Sequence, residues 1–191
     1  MEQVQINTLL SQANAGDTSA YNKLFPLIYD ELRNIAHRIR FQFLGVETLN
    51  TTAIVHEAYL KIANANGSWE NKAHFYGVAG KAMRQILLNA ARRKKTYKRG
   101  NDSQHIDINE LEESIHLTEE CSEELIQLDE VLDILAQKDE RQVKIVECRF
   151  FANMTVEETA VAMDISSATV KRSWQVTKAW IYTQLQQAKT A

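Results

Sequence analysis

Between Asp17 and Phe43 the chain reads DTSAYNKLFPLIYDELRNIAHRIRFQF, and Tyr21, Leu24, Ile28, Leu32, Ile35 and Ile39 recur three or four residues apart. That spacing gathers apolar side chains on one helical face. Pro26 interrupts the pattern. A proline is tolerated in the first turn of a helix, where its missing N–H has no partner to lose. The segment therefore predicts a short helix ending near Phe25 and another opening at Pro26.

TTAIVHEAYLKIANANG predicts the next helix. Thr51 or Thr52 serves as its cap, Ile54, Val55, Ala58 and Ile62 face inward, and His56, Glu57 and Lys61 are left outside. Glu57 and Lys61 stand one turn apart in the order that favours an ion pair. Asn64, Asn66, Gly67 and Ser68 are turn residues and break the pattern. ENKAHFYGVAGKAMRQILLNAARRKKTYKR then resumes as one long helix with an apolar stripe of Phe75, Val78, Ala79, Ala82, Met83, Ile86 and Leu87. From Asn101 to Leu128 the chain is polar, acidic and weakly periodic, which predicts a flexible connector that gains helix towards its end.

Periodicity returns in RQVKIVECRFF, where Val143, Val146 and Phe150 share a face and Cys148 reads as an ordinary buried thiol. The sharpest local pattern is MTVEETAVAMDISSATVKRSWQVTKAWIYTQL. Thr155 and Glu158 form a capping box. Met163, Asp164 and Ile165 form a tight turn, in which Asp164 tolerates the left-handed conformation. Ser166 or Ser167 caps a second helix, and Ala160, Ile165 and Val170 hold the pair together. This is the layout of a helix-turn-helix, whose second helix enters the DNA major groove. Ser167, Thr169, Lys171 and Arg172 lie at the reading end of that helix, with Lys178 further along. Trp174 and Trp180 read as core or interface anchors.

Composition supports an all-α class. There is one Pro and six Gly in 191 residues, and good helix formers dominate. No apolar run reaches the roughly 20 residues that span a bilayer, and MEQVQINTLLSQ lacks the character of a signal peptide. Cys121 and Cys148 have no metal-ligand spacing, which argues against zinc and against a disulfide framework. A reducing cytoplasm is the compartment expected.

Charge divides the chain into blocks. Residues 81–101 hold 8 bases and no acid, whereas residues 102–140 hold 14 acids and one base. Residues 141–191 carry a net charge of +3, within a chain whose total is -3. Cations at a helix C-terminus complement its dipole, but a run of bases interleaved with Tyr97 is also the footprint of phosphate contact. The cluster alone does not decide between them. No catalytic, metal or nucleotide motif assembles, so neither an enzyme, nor a cofactor, nor a small-molecule substrate is expected.

Taken with their order and spacing, VHEAYLKI and VKRSWQVTKAW give the chain its resemblance. It resembles an ECF-type RNA polymerase sigma factor, in particular the ECF-like subgroup, over nearly its whole length. The resemblance implies two small helical domains, 1–100 and 125–191, joined by an acidic linker at 101–124, with no further C-terminal domain. It implies that AIVHEAYLKI docks on core RNA polymerase through His56, Glu57 and Lys61. Many relatives have Asp-x-x-Gln-Glu where this chain has Ala53-Ile54-Val55-His56-Glu57, so different polar contacts are expected there.

Asn66, Ser68, Trp69 and Asn71 would capture an extruded base of the −10 element. Arg84, Asn89, Arg92 and Arg93 would read and melt it, with Lys94 and Lys95 at phosphates. Ser167, Thr169, Lys171, Arg172 and Lys178 would read the −35 element. The partners implied are core RNA polymerase and promoter DNA, with an anti-sigma factor as a further candidate. The acidic connector either threads the polymerase's basic RNA-exit path, shields the basic cluster in the free protein, or is simply solvated. The competing class is a stand-alone helix-turn-helix regulator that never touches polymerase.

Overall fold

The structure, a computed structural model, describes residues 2–44, 51–64, 70–98 and 117–190. Among these every regular element is helical, as expected for an all-α protein. The first is α1 (Glu2–Asn14), whose Ile6, Leu9, Leu10 and Ala13 recur at helical spacing and are buried. Gly16, at φ 92°, makes the turn into α2 (Thr18–Leu44), and the Asp17 carboxylate accepts from Ser19 N at 2.9 Å.

Pro26 does not divide this segment. α2 runs unbroken through it. Leu24 and Ile28, on either side, are fully buried, so core packing holds the helix together across the proline. Each such side chain contributes about 1.5–3 kcal/mol. Pro26 and Asn22 are both exposed, so water can satisfy the Asn22 carbonyl that lacks an N–H donor.

α3 (Thr51–Asn64) and α4 (Lys72–Lys98) pack on one another and on α2. An aromatic group ties α2 to α3: Phe25 lies 4.3 Å from Tyr59 between ring centroids, and the Tyr59 hydroxyl donates to the Tyr21 carbonyl at 2.5 Å. Burial and the neighbouring Tyr21 push the Tyr59 hydroxyl up to about 12.

The second half begins with α5 (Glu119–Lys138), capped by the Thr118 hydroxyl, which accepts from Cys121 N at 3.2 Å. This helix occupies part of the segment read as acidic connector; residues 99–116 lie outside the described residues. Asp139 then caps α6 (Glu140–Val146), which passes into a π-helical turn at Glu147–Phe151. α7 (Val156–Met163) and α8 (Ser167–Thr190) complete the chain.

One apolar cluster runs from Ile6 of α1 to Phe151 of the π turn. α4 lies in its middle, against α2 and α3 on one side and against α5, the π turn and α7 on the other.

Candidate nucleic-acid interface

α4 starts where Asn71 offers Oδ1 to His74 N at 2.8 Å. Asn71, expected to contact a base, thus serves here as a helix cap. Asn66, Ser68 and Trp69, expected beside it, lie outside the described residues. Further along, Lys81, Gln85, Arg92 and Thr96 are exposed and Asn89 is half-buried. Their spacing of three and four residues makes one polar strip. The Gln85 amide donates to Asn89 Oδ1 at 3.0 Å. Lys81 and Gln85 were not among the expected site residues; their place on the strip with Asn89 and Arg92 was the available signal.

The arginines of α4 are not all presented to solvent. The Arg84 side chain is only 14% exposed. It donates through Nη1 to Glu147 Oε1 at 2.9 Å and through Nη2 to Asp129 Oδ1 at 2.5 Å, with its guanidinium over the Phe151 ring. Arg92 reaches the other oxygen of the same Asp129 carboxylate at 2.9 Å while keeping most of its side chain in solvent. The Lys94 ammonium donates to the Leu117 carbonyl. Arg93 is half-buried and Lys95 is exposed. The set expected to face DNA together is therefore split. Asn89, Arg92 and Lys95 reach the surface, and Arg84 points into the protein.

Burial pushes the Glu147 carboxyl above the usual glutamate range, against the opposing pull of Lys81, Arg84 and Lys144. Beside it, between α4 and the second half of the chain, lies an open groove of 620 Å³ whose walls include His74, Lys81, Lys144 and Glu147.

On α3, His56 is exposed and stands edge-on to Phe25, 5.7 Å between ring centroids. Glu57 departs from expectation. Its position was read as outward-facing, but it is 4% exposed. Its carboxylate meets Lys61 Nζ at 3.7 Å, so of this pair only Lys61 reaches towards solvent. The α3 face buried on the core is wider than the Ile54–Val55–Ala58–Ile62 stripe and takes in the Glu57 stem.

At the other end of the molecule, Thr155 and Glu158 complete both hydrogen bonds of the capping box, at 2.7 and 3.1 Å. α7 ends at Asp164, whose φ of 50° and ψ of 48° put it in the left-handed region. The Ser166 hydroxyl accepts from Thr169 N at 3.1 Å and opens α8. Val170 is fully buried. Ser167, Lys171 and Arg172 are exposed around the first turns of α8, and Thr169 is half-buried. Orphan N–H groups and the positive end of the helix dipole add to this surface, which suits anionic oxygens.

Lys178 lies about 16 Å beyond Ser167 along the helix axis, where it borders an apolar groove with Trp174, Ile181 and Tyr182. Trp174 and Trp180 are partly buried, under the Arg149 guanidinium and the Lys138 ammonium respectively.

Among the described residues, no group of three or more His, Cys, Asp or Glu could hold a metal ion, and no helix is long and apolar enough to cross a membrane. Cys121 and Cys148 are free and buried, which pushes both thiols up to about 12. No curated protein matches the chain. A family model described as ECF sigma factor matches residues 3–187.

Proposed function

Because the chain belongs to the ECF sigma factor family, whose members are non-enzymatic factors of transcription initiation with RNA polymerase and promoter DNA as partners, we propose that it recognises both elements of its promoters and melts the DNA between its two halves. The observation that carries this reading is that the matched span contains both α4, with its polar strip, and the α7–α8 pair with its exposed basic helix start. The chain divides, in this reading, into an N-terminal domain at 1–100, a linker at 101–124 and a C-terminal domain at 125–191.

Each half has its own task. α3 docks on core polymerase through exposed His56 and half-buried Lys61. α8 lies in the major groove of the −35 element. Ser167, Thr169, Lys171 and Arg172 make the base and phosphate contacts of its first turns, and Lys178 reaches a phosphate further on. α4 reads the −10 element. Asn89 offers an amide to base edges, Arg84, Arg92 and Arg93 line the strand, and Lys94 and Lys95 neutralise phosphates. Asn66, Ser68, Trp69 and Asn71 hold an extruded base. Stacking of about 1–3 kcal/mol per captured base offsets the few kcal/mol that unstacking costs, so melting needs no ATP.

Phosphate neutralisation makes binding steeply salt dependent. The overall charge of -3 gives the free protein little long-range attraction to DNA.

The test is run-off transcription by bacterial core polymerase, with and without the protein, on a pool of genomic promoter fragments. Transcripts that require the protein and share two upstream elements are expected. Tight sequence-specific DNA binding by the protein alone, without any such transcripts, would replace this reading with that of a stand-alone regulator.

A further inference from the structure

The surfaces of α4 that touch the second half of the chain are unlike the rest of the helix. Ala73, Gly77, Gly80 and Arg84 fall at intervals of four, three and four, and so share one face. Gly80 sits directly on the end of the π turn: a Cβ built there would lie 2.7 Å from both the nitrogen and the Cβ of Ala152. A Cβ at Gly77 would lie 3.1 Å from Cys148 Sγ. Only glycine lets the two backbones approach this closely. Ala73 packs against the Cys148, Ala152 and Met154 cluster on the same side.

One turn beyond Gly80 the seam changes character. Arg84 is held between Asp129 of α5 and Glu147 of the π turn, and Arg92 takes the remaining oxygen of Asp129. Two carboxylates, both with side chains only 8% exposed, thus engage two guanidiniums in the manner of a phosphate. The Lys94 ammonium, two residues beyond Arg92, is tied to the Leu117 carbonyl at the entrance to α5. Shape and charge agree along about six turns of one helix.

We propose that this seam is an autoinhibitory contact, in which the C-terminal half grips the DNA-reading helix of the N-terminal half and occupies its cations until polymerase draws the two apart. The inference rests on the reading of α4 as the −10 helix. Core polymerase would favour the open form by binding the separated halves more tightly than the closed chain. Binding to DNA is then reduced by the fraction of molecules that are closed. The acids that do the shielding belong to a folded helix face and a π turn. This places the shielding function of the acidic block at Asp129, joined by Glu147 from beyond it.

The seam supplies its own test. The 3.1 Å from a Gly77 Cβ to Cys148 Sγ is the separation between a Cβ and the far sulfur in a disulfide. In the Gly77→Cys variant of the full chain, the introduced thiol and Cys148 are therefore close enough to join. Oxidised glutathione accepts the two electrons and two protons and leaves as two reduced molecules. Peptide mass spectrometry then identifies the bridge.

The oxidised variant, combined with core polymerase, should lose about tenfold or more of its promoter binding and run-off transcription, and dithiothreitol should restore both. A companion Gly80→Leu variant, which wedges the seam apart, should bind a duplex at low salt more tightly than the parent chain without polymerase. Full activity of the bridged form would overturn the proposal, as would duplex binding by the Gly80→Leu variant no tighter than that of the parent chain. Should the parent chain direct no transcription at all, the sigma reading fails instead. The low-salt binding of bridged against reduced protein still decides whether the seam masks DNA contacts.

Discussion

The two helices proposed to contact DNA, α4 and α8, meet the rest of the protein in opposite ways. α8 keeps Lys171 and Arg172 exposed, and neither makes an ion pair with a described residue. α4 turns Arg84 inward onto two carboxylates and lends part of Arg92 and Lys94 to the same neighbour. The difference follows from position. α8 packs by one face, whereas α4 lies between the two halves and packs by two. A helix buried on two faces presents DNA contacts only along a narrow strip, and it gains the rest when one neighbour leaves. In the proposed reading, the same chain holds one DNA-contacting surface ready and another in reserve.

The largest expected effect strikes the ready surface. Reversing both charges, with Lys171→Glu and Arg172→Glu, should reduce promoter-specific transcription by about 100-fold or more, since each base or phosphate contact is worth about 1–3 kcal/mol. Co-purification with core polymerase should be unchanged. Loss of polymerase binding would mean that α8 faces the enzyme and not the DNA.

A matched pair of substitutions separates the helices by stability. Arg84→Met strands Glu147 and part of Asp129 without their shared cation, and should lower the unfolding free energy by about 2–3 kcal/mol in urea. Lys171→Met, on the exposed helix, should change it by no more than about 0.5 kcal/mol. Equal effects would erase the distinction between the two helices.

The smallest effect is one of pH. Burial raises Glu147, with Lys81, Arg84 and Lys144 opposing and Asp129 sharing Arg84. A carboxyl raised in the folded chain contributes stability that is fully present below its ordinary value of 4.5 and is lost as pH rises through the raised one. Glu147→Gln mimics the protonated form. Its stability relative to the parent chain should be greatest near neutral pH and should decline as pH falls through the raised value towards the ordinary 4.5. A difference that is flat with pH would remove Glu147 titration from the seam.

Much of the fold was legible because its signals are local. The α4 stripe, the Thr155–Glu158 box and the left-handed Asp164 each depend on residues within a few positions of one another. Pro26 misled because its effect is also local, while the packing of Leu24 and Ile28 that overrides it is not. Glu57 looked outward for the same reason: a charged residue on a helix declares its chemistry but not how wide a face the neighbours cover. The site shows the limit most clearly. Arg84 could be read as a DNA contact from α4 alone, but its partners are 45 and 63 residues away, and nothing near it in sequence announces them. Gly77 and Gly80 are small residues within one helix, and nothing near them in sequence announces what they admit, Cys148 and Ala152.

The most direct measurement places a photo-reactive amino acid at Asn89 in one sample and at Lys171 in another, on a promoter selected by run-off transcription. With core polymerase present, both positions should crosslink to DNA, Lys171 to the upstream element and Asn89 to the one nearer the start site. In the free protein at low salt only Lys171 should crosslink. Equal crosslinking of both positions without polymerase would contradict the reserve held in α4, and no crosslink from either position in the polymerase complex would contradict the account as a whole.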